Sequence, residues 1–459
     1  MATTETHYTQ TTPTDNNKWT FSCWFKKAAP SSEMSLFGAW SDGNNQSKCR
    51  LMTNGTIEFI EYQSSSTVGK LTTNRALRDP SAWMHIVCVY DSDNGTPADR
   101  MKMYINGVRE TSFSVDTNPS SGLASINNVS GRVMYVGRDY DGGYWQGCMS
   151  HVQFVDGLAL APTEFGEFDS TSGIWKIKTG SYATPGNNGF HLKMEDASNL
   201  DLDSSSNAHT FTTSGTLTAT KDNPSNNFAT FNPLCVPVSN SSTLSNGNLT
   251  GVTSTSSADW GGVSTLGLDG GKWYYEFLVL TSGNDNLRNI FGISSDPAEV
   301  ARANTEVFNK AYAYCWKAYN SAWWYNTSGS AVETTSYFNT FTNGDYMGCY
   351  IDLDNNTIAF AKNGTLERSG VSNSIASVST AGTYFPIWTD GHSGWSSSIN
   401  MNFGNGVFGT TALTGSEDSD WFADAGGIGR FKYNPTQTVD SVSQDYRAIC
   451  TKNIKAYGG

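Results

Sequence analysis

The sequence predicts an all-β protein built from two antiparallel β-sandwiches, and two hairpin patterns carry this prediction. Residues 347–353 place an apolar side chain at every second position, which is the period of a strand with one buried face. Asn355-Asn356 then reverses the chain, because asparagine tolerates the positive φ of hairpin turns. Far upstream, residues 101–105 alternate in the same way before the turn Asn106-Gly107. Two similar hairpins far apart in the chain indicate two sandwich modules.

The composition supports this fold class and excludes one class of partner. A chain of 459 residues is too long for one hydrophobic core and suits two or three domains. Hydrophobic residues make up 37% and charged residues 15%, which fits a turn-rich β protein, and the 13% of aromatic residues indicates that some rings are exposed for binding. The formal charge is 29 − 42 = −13. We therefore expect no nucleic-acid partner, because a phosphate backbone would be repelled.

The N-terminus and the cysteines predict a protein that is made and folded in a cytosol. The first residues lack the basic and apolar regions of a secretory signal, and no apolar run is long enough to span a bilayer, so no membrane insertion is expected. The eight cysteines are scattered without a short paired spacing. We interpret most of them as reduced core residues.

The pattern along the chain predicts five segments. Residues 1–18 are polar and aperiodic and are interpreted as an N-terminal arm. Residues 19–165 contain short strands separated by Gly, Asn, Asp and Ser, as in a sandwich. Residues 166–243 are interpreted as a Gly-, Asn- and Ser-rich connector with short strands, 244–410 as the second sandwich, and 411–459 as a polar C-terminal tail.

Both modules resemble known families. Residues 19–165 resemble the laminin-G-like, concanavalin A-like (jelly-roll type) sandwich, through Trp19-Thr-Phe-Ser-Cys-Trp-Phe-Lys and Trp83-Met-His-Ile-Val-Cys-Val-Tyr-Asp. Residues 244–410 resemble a SPRY domain, through Gly271-Lys-Trp-Tyr-Tyr-Glu-Phe and Phe360-Ala-Lys-Asn-Gly. These motifs are specific for the fold and carry little information on function.

The order of the modules resembles virion fibre and appendage proteins of marine tailed bacteriophages. The connector motifs and the closing Tyr446-Arg-Ala-Ile-Cys-Thr-Lys-Asn are similar to segments of those proteins. The resemblance implies a structural protein of the virion, made in the host cytoplasm without a signal peptide. It also implies other virion proteins and a host cell-surface glycan as partners, and a homotrimer by analogy with fibres. The chain departs from the fibre pattern because no long shaft precedes the first sandwich.

Sugar binding is the site chemistry that the aromatic loops favour. A pyranose stacks its apolar face on a ring, while its hydroxyls bond to Asp, Asn or backbone groups. The candidate residues are Tyr140, Tyr144 and Trp145 in the first module, where the loop 42–45 has similar components, and Tyr319, Trp323, Trp324, Tyr325, Trp388, Asp390, His392 and Trp395 in the second. The alternative interpretation, in which these rings cap the sandwich ends or lie between subunits, stays open for each of them.

A calcium site is a weaker hypothesis. Asp91 and Asp93, and Asp139 and Asp141, could supply hard oxygen ligands at loop tips, where laminin-G-like domains often bind calcium. Asp and Gly are equally expected in β-turns for conformational reasons. No other cofactor is predicted.

The sequence predicts no catalytic site. Glycosidases of this fold class carry Glu-x-Asp-x-x-Glu on one strand, and that run does not occur. Glu164, Glu167 and Asp169 form the nearest acidic group, which we interpret as solvated turn residues. The leading interpretation is a non-enzymatic tail fibre or adsorption protein that binds host glycan. The alternatives are a capsid decoration or tail-assembly protein without a ligand and, less favoured, a polysaccharide depolymerase.

Overall fold

The computed structural model describes residues 3–28, 33–178, 185–235, 243–253, 260–282, 289–296, 312–327, 329, 331–390 and 396–458. It consists of two compact units, Met1–Ala219 and Thr220–Gly459. Strands make up 48% of the chain and helices 6%, so the all-β prediction is confirmed.

The first unit contains sixteen strands among its described residues. They are β1 (Glu5–Thr9), β2 (Lys18–Lys27), β3 (Met34–Asp42), β4 (Asn45–Leu51), β5 (Thr56–Gln63), β6 (Ser66–Ala76), β7 (Met84–Asp91), β8 (Met101–Ile105), β9 (Val108–Arg109), β10 (Phe113–Thr117), β11 (Val133–Val136), β12 (Gly147–Asp156), β13 (Gly166–Phe168), β14 (Trp175–Ile177), β15 (Phe190–Leu192) and β16 (Thr212–Ser214).

Two antiparallel sheets of the first unit face each other across a hydrophobic core. One has the order β10-β6-β5-β4-β3-β11-β1-β16, and the other has the order β15-β12-β2-β7-β8-β9. Every second side chain of these strands points inward, as the period-two pattern predicts. The core contains Trp19, Phe21, Phe37, Phe59, Tyr90, Met103 and Phe154.

The N-terminal arm that the sequence predicts is instead part of this sandwich. Strand β1 lies between β11 and β16 in the eight-stranded sheet. Tyr8 is 3% exposed, and its hydroxyl donates a hydrogen bond to the carbonyl oxygen of Asn188 at 2.5 Å. Pattern analysis misses the strand because Tyr8 is its single large apolar residue, while its backbone bonds come from distant segments.

The segment predicted as a connector is divided between the two units: its first part packs in the first unit and its last part in the second. Strands β15 and β16 complete the two sheets of the first unit. The segment before β13 packs Phe165 on Val87, Val89 and Val155 on the outer face of the six-stranded sheet. Further along, Phe228 and Phe231 are fully buried in the second unit. The boundary between the units therefore falls at Ala219, inside the segment predicted as a linker.

The second unit contains twenty strands and two short α-helices among its described residues. They are β17 (Thr243–Ser245), β18 (Thr250–Val252), β19 (Trp260–Val263), β20 (Lys272–Ser282), β21 (Asn289–Ser294), β22 (Ala313–Lys317), β23 (Ala322–Asn326), β24 (Ala331–Thr334), β25 (Tyr346–Asp352), β26 (Thr357–Lys362), β27 (Thr365–Leu366), β28 (Asn373–Ser374), α1 (Val378–Ala381), β29 (Phe385–Asp390), β30 (Ser397–Asn402), β31 (Val407–Phe408), β32 (Thr411–Ala412), β33 (Phe422–Ala423), β34 (Arg430–Phe431), β35 (Thr436–Val439), β36 (Val442–Asp445) and α2 (Thr451–Tyr457).

The second unit is also a sandwich of two large antiparallel sheets. One has the order β17-β18-β30-β20-β25-β26-β27, with β28 also on β26, and the other has the order β19-β29-β21-β22-β23-β24. The hairpin predicted at 347–360 is confirmed as β25 and β26, which pair in register from Met347 to Asp352. Its alternating residues Met347, Cys349 and Ile351 are fully buried in the core.

The predicted polar tail, residues 411–459, packs on this unit instead. Phe431, Tyr446 and Cys450 are buried against Tyr274 and Tyr350 of the eight-stranded sheet. The carboxylate of Glu276, which is fully buried, accepts hydrogen bonds from the backbone N–H groups of Lys432 at 2.6 Å and Tyr433 at 3.3 Å. The C-terminal segment is therefore held by apolar packing and by a buried carboxyl group.

Candidate ligand-binding sites

The loop 137–146 crosses the outer face of the eight-stranded sheet in the first unit at Gly38. Gly38 pairs with Tyr135 of β11 and with Lys48 of β4. A Cβ atom at this position would lie 2.6 Å from the carbonyl oxygen of Arg138 and 2.9 Å from the Cα atom of Asp139. The missing side chain therefore allows the loop to lie directly on the sheet.

Two carboxylates fix this loop to the strands beneath it. Asp139 accepts hydrogen bonds from Ser35 Oγ at 2.5 Å and from the Gly143 N–H at 2.9 Å. Asp141 forms ion pairs with Lys48 and, at 3.4 Å, with Arg50. Asp139 and Asp141, predicted as calcium ligands, thus have hydrogen-bond donors or cations as partners.

The fixed loop produces a surface that we call the aromatic platform: Trp40, Tyr135, Tyr140 and Tyr144. Trp40 and Tyr135 stack with ring centroids 4.3 Å apart and planes 10° apart, and Tyr140 meets Trp40 edge-on at 6.1 Å. Tyr140 is 44% exposed, and the other three rings are half-buried. The structure therefore joins two predicted loop residues to two strand residues that the sequence did not single out.

Arg138 lies among the rings of the platform. Its guanidinium carbon is 5.6, 5.3 and 5.2 Å from the ring centroids of Trp40, Tyr135 and Tyr144. These distances are in the range of cation–π attraction. The guanidinium also donates to Glu5 Oε2 at 3.0 Å, and Glu5 is 4% exposed. Glu5 thus compensates the charge of Arg138. The guanidinium group contacts three rings of the platform and holds them in place.

Trp145 belongs to the sandwich rather than to the platform. Its half-buried ring meets Phe25 edge-on at 5.3 Å and packs on the core of the first unit. Trp145 is therefore not one of the rings of the platform.

A second candidate site, which we call the aromatic slot, lies at the edge of the second unit between its two sheets. It is a cavity of about 370 Å³ lined by Tyr314, Trp323, Tyr325, Thr327, Asn373, Ser374, Ile375 and Ala376. Tyr314 and Tyr325 pair in register on β22 and β23, with centroids 6.3 Å apart and planes 8° apart. Trp323 lies 5.7 Å from Tyr325. These rings form one wall of the slot, and strand β28 with the next two residues forms the other.

The structure places the remaining predicted rings of the second unit elsewhere. Trp388 and Asp390 lie on β29 and are buried; Trp388 Nε1 donates to Asn289 Oδ1 at 2.7 Å, and Asp390 accepts from Thr253 Oγ1 at 2.9 Å. Trp324 is buried on the opposite face of its sheet from the slot. The predicted exposure of these three residues is wrong, because apolar clusters cover both faces of this sheet: Trp388 packs in the core and Trp324 in a cluster on the other face. His392 and Trp395 lie outside the described residues.

Tyr319 lies at neither site. It is 49% exposed in the turn between β22 and β23 and does not line the slot. Its exposure agrees with the prediction of a loop ring.

The other predicted metal and acidic residues are spread over separate turns. Asp91 pairs with Lys18 at 3.7 Å, and Asp93 accepts from Asn17 Nδ2 at 3.2 Å. Lys176 Nζ lies 3.3 Å from Glu167 and 3.2 Å from Asp169. Within the described parts of the chain, no group of three or more His, Cys, Asp or Glu side chains is arranged to hold a metal ion.

A third candidate site, a cavity that we call the tryptophan pocket, was not predicted from the sequence. It has a volume of about 370 Å³ in the first unit, and Trp24, Trp83 and Trp175 line it. Trp175 Nε1 donates to His85 Nδ1 at 3.0 Å, and burial lowers the pKa of His85 to about 3, so the imidazole is neutral and accepts this bond. Phe168 and Ile174, at 53% and 66% exposed, stand at its rim.

Comparisons with known proteins agree with these two folds. Residues 3–164 match the concanavalin A-like lectin/glucanases superfamily (Laminin_G_3), and residues 272–406 match the SPRY domain. No curated protein matches the chain. Among the described residues, no helix combines the length and hydropathy needed to cross a bilayer.

Several solved structures are similar to parts of the chain. The SPRY domain of human HERC1 is 18% identical, covers 37% of this chain and 96% of its own, and gives a TM-score of 0.29. A SAP-like pentraxin from Limulus polyphemus is 18% identical, with coverages of 36% and 74% and a TM-score of 0.28. Domains LG4-5 of the mouse laminin α1 chain are 10% identical, with coverages of 94% and 95% and a TM-score of 0.25. At these values the similarities carry no information about ligands.

The family matches confirm the two domain types that the sequence resembles. Neither match names a virion protein, so the comparison with phage appendages remains a resemblance of module order. The chain carries a concanavalin A-like domain followed by a SPRY domain, and this pair indicates a role in binding carbohydrate or protein.

Proposed function

We propose that the chain is a non-enzymatic glycan-binding protein and that the aromatic platform of its first unit holds a sugar ring. The single observation that carries the proposal is the loop laid on Gly38, which brings Tyr140 and Tyr144 beside the Trp40–Tyr135 stack. A rigid, partly exposed ring surface offers the stacking face that a pyranose needs at little cost in side-chain entropy.

The charges around the platform favour a neutral sugar there. Arg138 is paired with Glu5, and Lys48 is paired with Asp141. Arg50 lies within 2.8 Å of Glu58 and 2.5 Å of Glu33. Because each of these cations already has a carboxylate partner, the platform offers rings and hydrogen-bonding groups without an uncompensated charge.

The biological setting that we propose is the virion of a tailed bacteriophage. The order of the two modules supports a tail fibre or adsorption component that acts as a homotrimer, contacts other virion proteins and binds host surface glycan. In that setting, sugar stacking on the platform would attach the particle to a cell. The proposal includes no calcium, because the described carboxylates near the platform are paired with cations or donors.

A second candidate function is attachment to another protein through the tryptophan pocket. The exposed apolar side chains of Val108, Phe168 and Ile174 all line this one cavity. Clusters of exposed apolar residues are typical of protein interfaces. This function corresponds to a capsid decoration or tail-assembly protein without a glycan ligand.

Binding of the full chain to an array of bacterial surface glycans tests the lead proposal. We expect binding that the Tyr140→Ala/Tyr144→Ala variant weakens about tenfold or more, since each lost ring contact is worth about 0.5–1.5 kcal/mol. A Phe168→Ala/Ile174→Ala variant, which alters only the tryptophan pocket, serves as the matched control and should bind normally. An array on which the native chain binds nothing, or on which the tyrosine variant binds as well as the native chain, would refute the proposal.

A further inference from the structure

The rim of the aromatic slot carries a guanidinium group with no carboxylate partner among the described residues. Arg368 Nη1 donates to Asn373 Oδ1 at 3.2 Å, and the guanidinium carbon lies 4.3 Å from the ring centroid of Tyr337. The neighbouring Glu367 uses both carboxylate oxygens to bind the backbone and side-chain N–H groups of Asn339. Arg368 thus differs from Arg138 and Arg50, which are each paired with a carboxylate.

The backbone at Arg368 adopts a costly conformation. Arg368 has φ +51° and ψ 34°, and Ser369 has φ +54° and ψ 33°, so two consecutive non-glycine residues are left-handed. Such residues cost energy because Cβ approaches the following carbonyl oxygen, and consecutive positive-φ pairs also occur in the turns at Ser64-Ser65 and Asp440-Ser441. Hydrogen bonds from Val371 N to Arg368 O at 3.2 Å and from Asp440 N to Gly370 O at 2.9 Å hold the turn. The bonded turn fixes the backbone from which the Arg368 side chain extends.

The slot beside this guanidinium has the shape and polarity of a sugar site. Tyr325 and Trp323 form one wall, and Asn373 of the opposite wall accepts a hydrogen bond from Arg368. Thr327 and Ser374 are exposed at the edge and offer hydroxyl groups. The volume of about 370 Å³ is sufficient for one monosaccharide residue and part of the next.

We propose that the aromatic slot binds a saccharide residue that bears a carboxylate, with the sugar ring against Tyr325 and Trp323 and the carboxylate on Arg368. Arginine pairs with carboxylates through two parallel N–H···O bonds, and its planar group keeps this geometry while stacked on an aromatic ring. The chain as a whole carries a charge of −13 and repels anions. An arginine beside a cavity, with no carboxylate partner among the described residues, therefore suits an acidic sugar.

This site does not depend on the platform. The slot lies in the unit Thr220–Gly459, and every residue of the platform lies in the unit Met1–Ala219. Loss of sugar binding at the platform would leave acidic-sugar binding at the slot unchanged, and the reverse also holds.

Titration of the full chain with methyl β-D-glucuronide and with methyl β-D-glucoside, followed by saturation-transfer NMR, tests the proposal. We expect the glucuronide to bind about tenfold more tightly than the glucoside, which corresponds to about 1.4 kcal/mol. Arg368→Gln should remove this preference, while Lys317→Gln should keep it. The lysine variant is the matched control, because it removes one positive charge from the same unit at a residue paired with Glu333 that does not line the slot.

A second variant and the salt dependence separate stacking from charge. Tyr325→Ala should weaken both glycosides to a similar extent, and added salt should weaken only the glucuronide. The salt measurement uses the native chain, so it decides the question even if Arg368→Gln does not fold. Tyr140→Ala/Tyr144→Ala should leave glucuronide binding unchanged.

Three results would overturn the proposal. The first is equal affinity of the native chain for the two glycosides. The second is an undiminished preference for the glucuronide in a folded Arg368→Gln variant. The third is Arg368-dependent binding of N-acetyl-aspartate amide without binding of the glucuronide, which would assign the slot to an acidic peptide.

Discussion

The aromatic platform and the aromatic slot contain the same types of side chain, Trp, Tyr and a nearby Arg, in two different environments. On the platform, Trp40 and Tyr135 lie on the outer face of a sheet, and the nearby Arg138 is neutralised by Glu5. In the slot, Tyr314 and Tyr325 lie on the inner face at the sandwich edge, and Arg368 donates to the amide oxygen of Asn373 and has no carboxylate partner among the described residues. The comparison teaches that the pairing of the arginine, rather than the number of rings, distinguishes the two sites for which we propose a neutral and an acidic sugar.

The strand register decides on which side of a sheet these rings lie. Tyr135 is outward because its neighbours Met134 and Val136 point into the core of the first unit. Tyr325 is inward because it shares a face with Trp323, which packs in the core of the second unit. A register shift of one residue would exchange the faces, so the positions of both sites are fixed by the same packing that stabilises each sandwich.

The largest expected effect is that of Gly38→Val, which should disrupt the platform and leave the slot unchanged. The new side chain would collide with the backbone of Arg138 and Asp139 and lift the loop. We expect glycan binding at the platform to be lost and the free energy of unfolding to fall by about 1–3 kcal/mol. Glycan arrays and urea unfolding measure the two effects.

Gly95→Val is the matched control for this experiment, because a Cβ atom there has no neighbour within 4 Å. It should alter neither binding nor stability. Normal platform binding by Gly38→Val would show that the loop does not position the binding rings.

The second expected effect is a pH dependence of stability. Each unit contains one buried carboxyl group that produces it, so the two units should behave alike away from their binding sites. Burial raises the pKa of Glu61 in the first unit and of Glu276 in the second to about 7. The raised pKa favours the protonated carboxyl in the folded state, so the stabilisation is complete below about pH 4.5 and is lost as the pH rises through about 7. Between pH 6.5 and 8 we expect the free energy of unfolding to fall by about 1 kcal/mol per group.

In this pH range the carboxyl groups change the free energy of unfolding and the buried histidines do not. Burial lowers the pKa of His85 to about 3 and of His191 to about 4, so their contribution to stability changes only below the ordinary histidine pKa of about 6.5. Urea unfolding of the native chain, Glu61→Gln and Glu276→Gln checks the prediction. Each glutamine variant should lose part of the pH dependence, and an unchanged slope in both variants would contradict it.

The smallest expected effect is that of Tyr319→Ala. Tyr319 is exposed in a turn and belongs to neither site, so we expect a change in unfolding free energy within about 0.5 kcal/mol and unchanged binding of both sugars. Thermal unfolding and the two titrations measure this. A clear loss of binding would reveal a ligand contact beyond the platform and the slot.

The sequence predicts the fold because apolar side chains recur at every second position of the core strands. Strands β8 and β25 show the alternation of Met101, Met103 and Ile105 and of Met347, Cys349 and Ile351 that was expected. Strand β1 could not be predicted, since its backbone bonds come from β11 and β16, which are distant in sequence. Local patterns do not contain such pairings.

The candidate sites were predicted only in part. Tyr140 and Tyr144 were recognised because a Gly-rich loop surrounds them, whereas Trp40 and Tyr135 lie in strands whose outward positions the sequence does not reveal. Gly38 was a usable signal, because a glycine inside a strand often marks a close approach of another backbone. Arg368 was not predictable, since its importance comes from the absence of a described carboxylate partner and from its left-handed backbone.

The packing of the second unit limits how this SPRY domain can be transferred to another protein. The family match spans residues 272–406, but Phe231 before it and Tyr446 after it are buried in the same unit. Cutting at the matched boundaries would leave Tyr274, Tyr350 and the Glu276 carboxyl without their cover. A recombination event that exchanges this domain therefore has to carry both flanks, so the unit that can be inherited intact is larger than the matched segment.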